Sequence, residues 1–342
     1  MIKFGKIKID NSLEPLIIPE IGINHGGNLG IAFKIIKAAK RAGAKLIKNQ
    51  THIVEDEYSM ESKKEVPKNA NENIYSLIKK CSFSYEQEFK IKKYTESLGM
   101  EYLSTPFSRA AVDRLNKLKV KAFKIGSGEC NNLPLIEYVS KSKKPIILST
   151  GMNNMKQIKK TISILKKNKV KFVINHCTNI YPSNYSHARL NFILELKKNF
   201  PNILIGLSDH SEDNLTSYAA IALGVNLVEK HFVDTKKRKG PDISSSLDEK
   251  GLKNLIIDSK NIFLTLKDKK NILKEEVSVA KFAFASVIAL RNIFKGEKLT
   301  RDNIWVKRPG TGDFSAEMYY KLLGKKVKKD ILQNTQIKKI HI

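Results

Sequence analysis

Two histidines stand at corresponding points of two repeating units in this 342-residue chain. His210 and His231 lie at the ends of two short apolar, β-rich runs. Neutral imidazoles are common ligands of divalent metal ions. Because no cysteine accompanies the pair, such a site needs water, a carboxylate or a substrate to complete it. We therefore predict a divalent-metal site here, and two ordinary histidines are the alternative.

Two lysines follow apolar runs in the same way. Lys48 and Lys124, if buried, are point charges for a phosphate and a carboxylate, or one of them forms a Schiff base. Two surface lysines are the alternative. The turns Gly26-Gly27 and Gly126-Ser127-Gly128 expose backbone N–H groups for anions, but neither has the spacing of a nucleotide-binding loop. Candidates for proton transfer or for holding sugar hydroxyls are Glu20, Glu129 and Asp242.

The elements that position these groups alternate regularly between about residues 15 and 265. Helical patterns at 3.6-residue spacing separate the apolar runs. The runs are Leu16–Ile23, Ala44–Ile47, Tyr102–Leu103, Ala122–Ile125, Pro145–Leu148, Lys171–Ile174, Ile203–Ile205 and Leu227–Val228. Eight strands, each followed by a helix, predict an α/β fold, a closed (β/α)8 TIM barrel. Active sites of such barrels lie at the carboxyl ends of the strands, so the polar groups there are expected to share one rim.

The chain is predicted to have two domains. Residues 1–265 form the barrel, residues 266–279 a charged linker, and residues 280–342 a small β-rich domain with Lys295-Gly296-Glu297 and Pro309–Gly312 as turns. The segment Val54–Ser82 is longer than an ordinary loop between a strand and a helix. We expect it to form a flap over the barrel mouth.

The net charge of +28 could indicate a polyanion partner. However, the basic residues are 54 lysines and only eight arginines, whereas nucleic-acid surfaces favour arginine. The lysines fall mostly in helical stretches, so we interpret them as solvated helix faces and expect no nucleic-acid partner. The three cysteines, Cys81, Cys130 and Cys177, are too widely spaced for a disulfide framework. No apolar run reaches 18 residues and no signal peptide is evident, so we expect no membrane association and a cytoplasmic location.

Long motifs at the rim resemble the bacterial N-acetylneuraminate (sialic acid) synthase family. They are Glu20–His25, Gln50–Glu57, Ser104–Arg109, Lys124–Asn132, Leu148–Met152, Gly206–His210 and Gly240–Asp242. The tail resembles the antifreeze-like (SAF) domain of that family, through Phe282–Ser286 and Trp305–Gly310. The resemblance spans nearly the whole chain.

The resemblance implies an enzyme that condenses phosphoenolpyruvate with N-acetylmannosamine and releases phosphate. It implies that His210 and His231 bind Mn²⁺, with Mg²⁺ or Co²⁺ as alternatives, and that Glu20 serves acid–base or metal-water chemistry. The residues implied to hold phosphoenolpyruvate are Lys48, Thr105, Lys124, Ser127, Ser149, Asn179 and Ser208. Those implied on the sugar side are Gln50, Tyr181 and Asp242. Arg308, with Phe284 in the same lid, is implied to reach the sugar in the partner's barrel of a domain-swapped homodimer.

One departure from close relatives falls on the second strand. They read Lys-His-Gln where this chain has Lys48-Asn49-Gln50. Two other readings stay open beside the N-acetylmannosamine reaction. A legionaminate or pseudaminate synthase would share the frame but accept a 2,4-diacetamido-2,4,6-trideoxy hexose, and the Thr51–Glu57 run favours the N-acetylmannosamine branch. A non-catalytic polyanion-binding protein would use only the charge.

Overall fold

The computed structural model describes residues 1–67, 70–267 and 270–342. It divides into two compact units, Met1–Lys267 and Asp268–Ile342. Within the described ranges, no helix has the length and apolar character needed to cross a membrane.

The first unit is a closed barrel of eight parallel strands, and the predicted TIM-barrel fold is confirmed. An antiparallel hairpin of β1 (Ile2–Phe4) and β2 (Ile7–Ile9) precedes it. The barrel strands are β3 (Leu16–Glu20), β4 (Leu46–Thr51), β5 (Glu101–Pro106), β6 (Phe123–Ile125), β7 (Ile146–Ser149), β8 (Phe172–Cys177), β9 (Leu204–Asp209) and β10 (Leu227–His231). Phe4 and Ile9 of the hairpin pack on the inward-facing Leu46 and Leu227, which closes the barrel at its amino-terminal end.

Helices surround the strands and bury their apolar faces against the outside of the barrel. They are α1 (Leu29–Arg41), α4 (Tyr85–Ser97), α5 (Arg109–Lys117), α6 (Leu133–Ser140), α7 (Met155–Lys167), α8 (Asn191–Asn199), α9 (Leu215–Ala222) and α10 (Glu249–Thr265). Two short helices between β4 and α4, α2 (Val54–Glu57) and α3 (Ile74–Cys81), pack in a separate cluster. Capping boxes begin two of them, with Ser84 and Gln87 at α4 and Asn154 and Gln157 at α7. These side chains satisfy backbone N–H groups that a helix start leaves free, and so they fix where the helix begins.

Several strands continue beyond the apolar runs that predicted them. Strand β4 runs to Thr51 instead of Ile47, β9 to Asp209 instead of Ile205, and β10 to His231 instead of Val228. The first strand was predicted too long, because β3 ends at Glu20 and not at Ile23. The apolar pattern stops early because the inward-facing positions near the barrel mouth carry polar side chains.

The segment expected as a flap contains α2, a 3₁₀ turn at Met60–Lys64 and α3, and residues 68 and 69 within it lie outside the described ranges. Val54, Leu77, Ile78 and Cys81 form a small hydrophobic cluster with Ile23, which belongs to the loop after β3. The segment therefore packs on a loop that follows a barrel strand, at the end of the barrel where the polar residues lie.

The second unit contains α11 (Glu276–Ala283), β11 (Ser286–Ala289), β12 (Ile304–Lys307) and α12 (Tyr319–Leu322). Strands β11 and β12 pair antiparallel, and their buried Val287 and Ile304 join Leu322 and Ile337 in a separate core. Helix α11 extends across residue 280, where the predicted linker meets the small domain. Residues 268 and 269 of that linker lie outside the described ranges.

Candidate active site

Strand alternation directs polar side chains into the barrel mouth. Side chains two residues apart share a strand face, so Lys48 and Gln50 of β4 point inward with Glu20 of β3. One cavity of about 130 Å³ is lined by most of the predicted site. Its predicted members are Glu20, Lys48, Gln50, Thr105, Lys124, Ser127, Ser149, Asn179, Tyr181, Ser208, His210 and His231.

A cluster of four buried charges occupies the centre of this cavity. Lys124 Nζ donates to Glu229 Oε1 at 3.0 Å and to Ser149 Oγ at 2.7 Å. Lys48 Nζ donates to Glu20 and lies 3.5 Å from Glu229 Oε1. The four charged side chains are between 2% and 4% exposed. The alternative that Lys48 and Lys124 are surface lysines is therefore wrong.

The charges in the cluster shift one another's pKa values. Burial acts to raise the pKa of Glu20, but Lys48, His231 and Lys124 outweigh burial and hold it well below its usual range. Burial acts to lower the pKa of Lys48, but Glu20 and Glu229 outweigh it and raise that pKa. Glu20 is therefore an ionised carboxylate at neutral pH and Lys48 an ammonium group.

The two candidate metal-binding histidines lie side by side, with ring centroids 5.4 Å apart. His210 Nδ1 lies 2.8 Å from the carbonyl oxygen of Thr178, to which it donates, so Nε2 is left as the free donor atom. His231 Nδ1 is buried without a hydrogen-bond partner. Gly22 approaches the His231 ring closely, since a Cβ there would lie 3.1 Å from Nδ1, and its φ of +49° also suits glycine.

These residues fit a divalent metal ion. His231 Nδ1 has no hydrogen-bond partner and His210 Nε2 is free, and imidazole nitrogens of this kind bind divalent transition metals. A carboxylate oxygen, Glu20 Oε2, lies 3.9 Å from His231 Nε2. Among the described residues, no set of three or more His, Cys, Asp and Glu side chains is arranged to hold a metal by itself. Two imidazoles therefore leave positions for water or substrate.

Hydroxyl and amide groups surround the lysines. Ser127 Oγ accepts from the backbone N–H of Gly151 at 3.0 Å, and this contact joins the turn after β6 to the end of β7. Thr105 Oγ1 is buried and makes no hydrogen bond. Gly151 leaves room for Asn179, because a Cβ there would stand 1.9 Å from Asn179 Oδ1. The cavity thus offers neutral donors beside two cations, as an anion site requires.

The predicted sugar-side residues are spread around the rim. Gln50 Nε2 donates to Glu20 Oε1 at 2.7 Å, and the Tyr181 ring lies 4.1 Å from that of His210. Asp242 Oδ2 lies 3.9 Å from His231 Nδ1, beside the cavity. Glu129 does not line it; it closes the 3₁₀ turn Ser127–Glu129 and accepts from Asn132 at 2.6 Å.

Phe284 and Arg308 belong to the second unit, where both are exposed. The loop after Arg308 lies against Phe284, since a Cβ on Gly310 would come within 2.7 Å of Phe284 Cβ. Ser286 Oγ donates to Pro309 O at 2.8 Å and fixes the same loop to β11. The two residues therefore lie on neighbouring parts of that unit.

Three cavity-lining residues were missed by the sequence reasoning: Glu229, Cys177 and Phe107. Glu229 stands two residues before His231 on β10, so strand alternation gives it the same inward face, and that signal could have found it. Cys177 ends β8 with its Sγ 4.0 Å from His210 Nδ1.

The unusual Asn49 points away from the cavity. Its Nδ2 donates to the hydroxyl of Tyr102 at 2.9 Å on the outer side of the barrel. Lys48 and Gln50, on either side of it, keep their inward positions. The departure from relatives therefore falls outside the site.

The fold and this cavity define a TIM-barrel protein with two buried lysines, two buried glutamates and two histidines at the barrel mouth. Residues 35–271 match the model of the NeuB family, and residues 284–342 match that of the SAF domain. The chain belongs to the NeuB family, whose members are enzymes that make sialic-acid-type sugars. The predicted resemblance, including the antifreeze-like domain, is confirmed.

Relatives cover nearly the whole chain. It is 35% identical over 331 residues to the N,N'-diacetyllegionaminic acid synthase of Campylobacter jejuni, covering 94% of this chain and 98% of that protein. It is 34% identical to the pseudaminic acid synthase of the same organism, covering 96% of each. A crystal structure of the N-acetylneuraminic acid synthetase of Leptospira borgpetersenii, in complex with citrate, superposes with a TM-score of 0.75. The identity is 29%, over 81% of this chain and 94% of that one.

Proposed function

We propose that this enzyme condenses phosphoenolpyruvate with N-acetylmannosamine and water to give N-acetylneuraminate and phosphate. The observation that carries the proposal is the pair of buried lysines in the barrel mouth, which stand among hydroxyl donors beside the two histidines. A substrate with a phosphate and a carboxylate close together matches two cations on neighbouring parts of one cavity.

Lys48 and Lys124 hold the two anionic groups of phosphoenolpyruvate in this proposal. Thr105 Oγ1, which is buried without a partner, supplies a hydroxyl that the substrate can satisfy. The remaining donors on the same wall are Ser127, Ser149, Asn179 and Ser208. Holding both substrates in a fixed orientation accounts for a large part of the rate of such a condensation.

The reaction balances without a covalent enzyme intermediate. C3 of phosphoenolpyruvate forms a bond to the aldehyde carbon of the sugar, whose oxygen takes up a proton. Water adds to C2 and loses a proton, and phosphate leaves by cleavage of the C–O bond. Glu20, which lies in the cavity beside Lys48 and Gln50, is the carboxylate that we propose takes up the proton from water. Tyr181 lines the same cavity, and because burial and nearby negative charges raise its pKa, it stays protonated and can donate a hydrogen bond to the sugar oxygen.

His210 and His231 would hold a divalent ion, for which we propose Mn²⁺, with Mg²⁺ or Co²⁺ as alternatives. When bound, such an ion polarises the sugar aldehyde as a Lewis acid. Gln50 and Asp242, with Glu129 at the rim, would then shape the sugar side.

We further propose a domain-swapped homodimer, in which Arg308 and Phe284 reach the N-acetyl end of the sugar in the partner's barrel. Both residues are exposed and lie on adjacent parts of the second unit. An exposed arginine beside an exposed aromatic ring is suited to cover a polar ligand.

Two relatives of the chain support a second candidate for the sugar substrate. The legionaminic and pseudaminic acid synthases of Campylobacter jejuni match the chain over nearly its whole length. A 2,4-diacetamido-2,4,6-trideoxy hexose would use the same anion site and the same two histidines. It would differ only where C4 and C6 of the sugar meet the pocket wall.

Phosphate release from phosphoenolpyruvate tests the proposal. Release that requires both N-acetylmannosamine and Mn²⁺, and that EDTA stops, supports the proposed reaction. Release only with the diacetamido sugar moves the enzyme to the second reading. No release with either sugar refutes the synthase proposal and favours polyanion binding, which salt-dependent retention on heparin would then measure.

A further inference from the structure

A chain of polar contacts links the flap segment to the cavity. Glu57, at the end of α2, lies with Oε2 2.8 Å from His52 Nδ1. His52 Nε2 lies 3.1 Å from Gln50 Oε1, and Gln50 Nε2 donates to Glu20 Oε1 at 2.7 Å. The side chains of His52 and Glu57 are only 4% and 6% exposed. The contacts therefore join residues that solvent reaches poorly.

The directions of these hydrogen bonds follow from chemistry. Glu20 Oε1 accepts hydrogen bonds from both Lys48 Nζ and Gln50 Nε2, so the NH₂ group of Gln50 faces the carboxylate. The carbonyl oxygen of Gln50 then faces His52 Nε2, and the Glu57 carboxylate faces His52 Nδ1. Because both oxygens are acceptors, each ring nitrogen carries a hydrogen and donates it. An amide turned the other way would place its oxygen against the Glu20 carboxylate. Glu20 and His52 thus hold the two ends of the Gln50 amide, and His52 secures the end that faces away from the carboxylate.

The His52 ring also supports a second wall of the cavity. It stacks on Phe107, with centroids 4.4 Å apart and an interplanar angle of 10°. Gln50 and Phe107 both line the cavity, whereas His52 is not among its described lining residues. One buried ring therefore fixes two side chains that the substrate meets.

We propose that His52, held by Glu57, is a positioning residue that sets sugar recognition through Gln50 and Phe107. The inference rests on the proposed function, because Gln50 is assigned there to the sugar side. Lys48 and Lys124, which hold phosphoenolpyruvate, make no contact with His52 among the described hydrogen bonds and ion pairs. Loss of His52 should accordingly affect the two substrates unequally.

The test compares His52→Leu with His52→Gln, which keeps an N–H donor near the position of Nε2. His52→Leu should raise the KM for the sugar about tenfold, the effect of losing one hydrogen bond of about 1.4 kcal/mol, and leave that for phosphoenolpyruvate within about twofold. His52→Gln should restore most of the sugar affinity. Equal increases in both KM values, or an unchanged sugar KM, would overturn the proposal.

The control is His176→Gln. His176 is another buried histidine of a barrel strand, but its Nε2 bonds only the carbonyl oxygen of Ala188, at 2.6 Å. This variant should lower the melting temperature and leave the sugar KM unchanged.

A crystal structure of His52→Leu separates this inference from the proposed reaction. The Gln50 amide should rotate or leave Glu20, whatever the turnover. If Gln50 keeps its contact with Glu20 in that variant, His52 does not position it. If the wild-type enzyme releases no phosphate with either sugar, the reaction is wrong while the structural test still decides the positioning.

Discussion

Substitution of Lys230 by methionine should strongly destabilise the barrel. Lys230 of β10 is paired in register with Asp209 of β9, and both side chains are 1% exposed. Its Nζ donates to Asp209 Oδ2 at 2.9 Å, to Ser211 O at 2.7 Å and to Ser211 Oγ at 3.1 Å. Removal of the ammonium group leaves a buried carboxylate that keeps only Ser217 Oγ and the Ser211 N–H as donors.

The expected loss is about 3–5 kcal/mol, the usual cost of removing one partner of a buried ion pair. A domain of this size loses about 2 °C of melting temperature per kcal/mol, so Lys230→Met should melt about 6–10 °C lower. Lys236→Met, at an exposed lysine a few residues away, is the control and should change stability by less than about 0.5 kcal/mol.

The pKa of Asp209 determines how the stabilisation by this ion pair changes with pH. Burial acts to raise the pKa of Asp209, but Lys230 and the hydrogen bonds from Ser217 and Ser211 outweigh it and lower that pKa. The stabilisation is therefore complete above the unfolded-state pKa of about 4 and is lost as the pH falls through the folded-state pKa. The difference in melting temperature between wild type and Lys230→Met should narrow below about pH 4.

A double-mutant cycle measures the interaction between the two side chains. It compares, by differential scanning calorimetry, wild type, Lys230→Met, Asp209→Leu and the double variant. The double variant should be more stable than the sum of the single losses implies, since it leaves no buried charge unpaired. If the stability losses of the two single variants simply add, Lys230 and Asp209 do not stabilise the barrel as a buried pair. A Lys230→Met protein as stable as the Lys236→Met control would refute the pair in the same way.

Three further substitutions test other parts of the structure. His231→Ala should abolish metal-dependent phosphate release and Mn²⁺ binding measured by calorimetry, with the circular dichroism spectrum retained; full activity would contradict the metal assignment. Arg308→Ala should raise the sugar KM much more than the phosphoenolpyruvate KM, and mixing it with an inactive barrel variant should restore part of the activity if the dimer is swapped. Glu88→Gln should raise the melting temperature at pH 8, because burial raises the pKa of Glu88 and penalises its ionised form; the gain should vanish below about pH 4, where wild-type Glu88 is protonated in both states.

The sequence predicts the barrel because alternating strands and helices leave few other folds. It places strand ends less well, since the apolar signal disappears where Lys48, Gln50 and Ser208 enter the cavity. These residues keep the period of two of a strand while changing from apolar to polar. An alternation rule that ignores polarity near the barrel mouth would have extended β4 and β9 to their observed ends.

The sequence predicts the site residues that directly follow barrel strands. It misses residues whose role depends on which side chains they contact in the folded protein. Glu229 precedes a lysine and a histidine and is unremarkable in sequence, yet it accepts from Lys124 and Ser208. The contact of His52 with Glu57 depends on the path of the loop between β4 and α2, which no periodicity describes. Strand geometry can therefore be inferred from sequence, but contacts between loop side chains require coordinates.

The charge balance of the cavity predicts that the proposed metal ion and the proposed substrate phosphoenolpyruvate should bind cooperatively. Glu20 and Glu229 already offset the charges of Lys48 and Lys124, so the four groups are close to neutral together. Phosphoenolpyruvate adds about three negative charges, two of them from its phosphate. A divalent ion bound at His210 and His231, as proposed, would offset most of this charge inside a poorly solvated cavity, where the interaction is strong. By linkage, each should tighten the binding of the other by the same factor, which titration calorimetry of phosphoenolpyruvate with and without Mn²⁺ measures. Equal affinities under both conditions would show that the lysines alone neutralise the substrate.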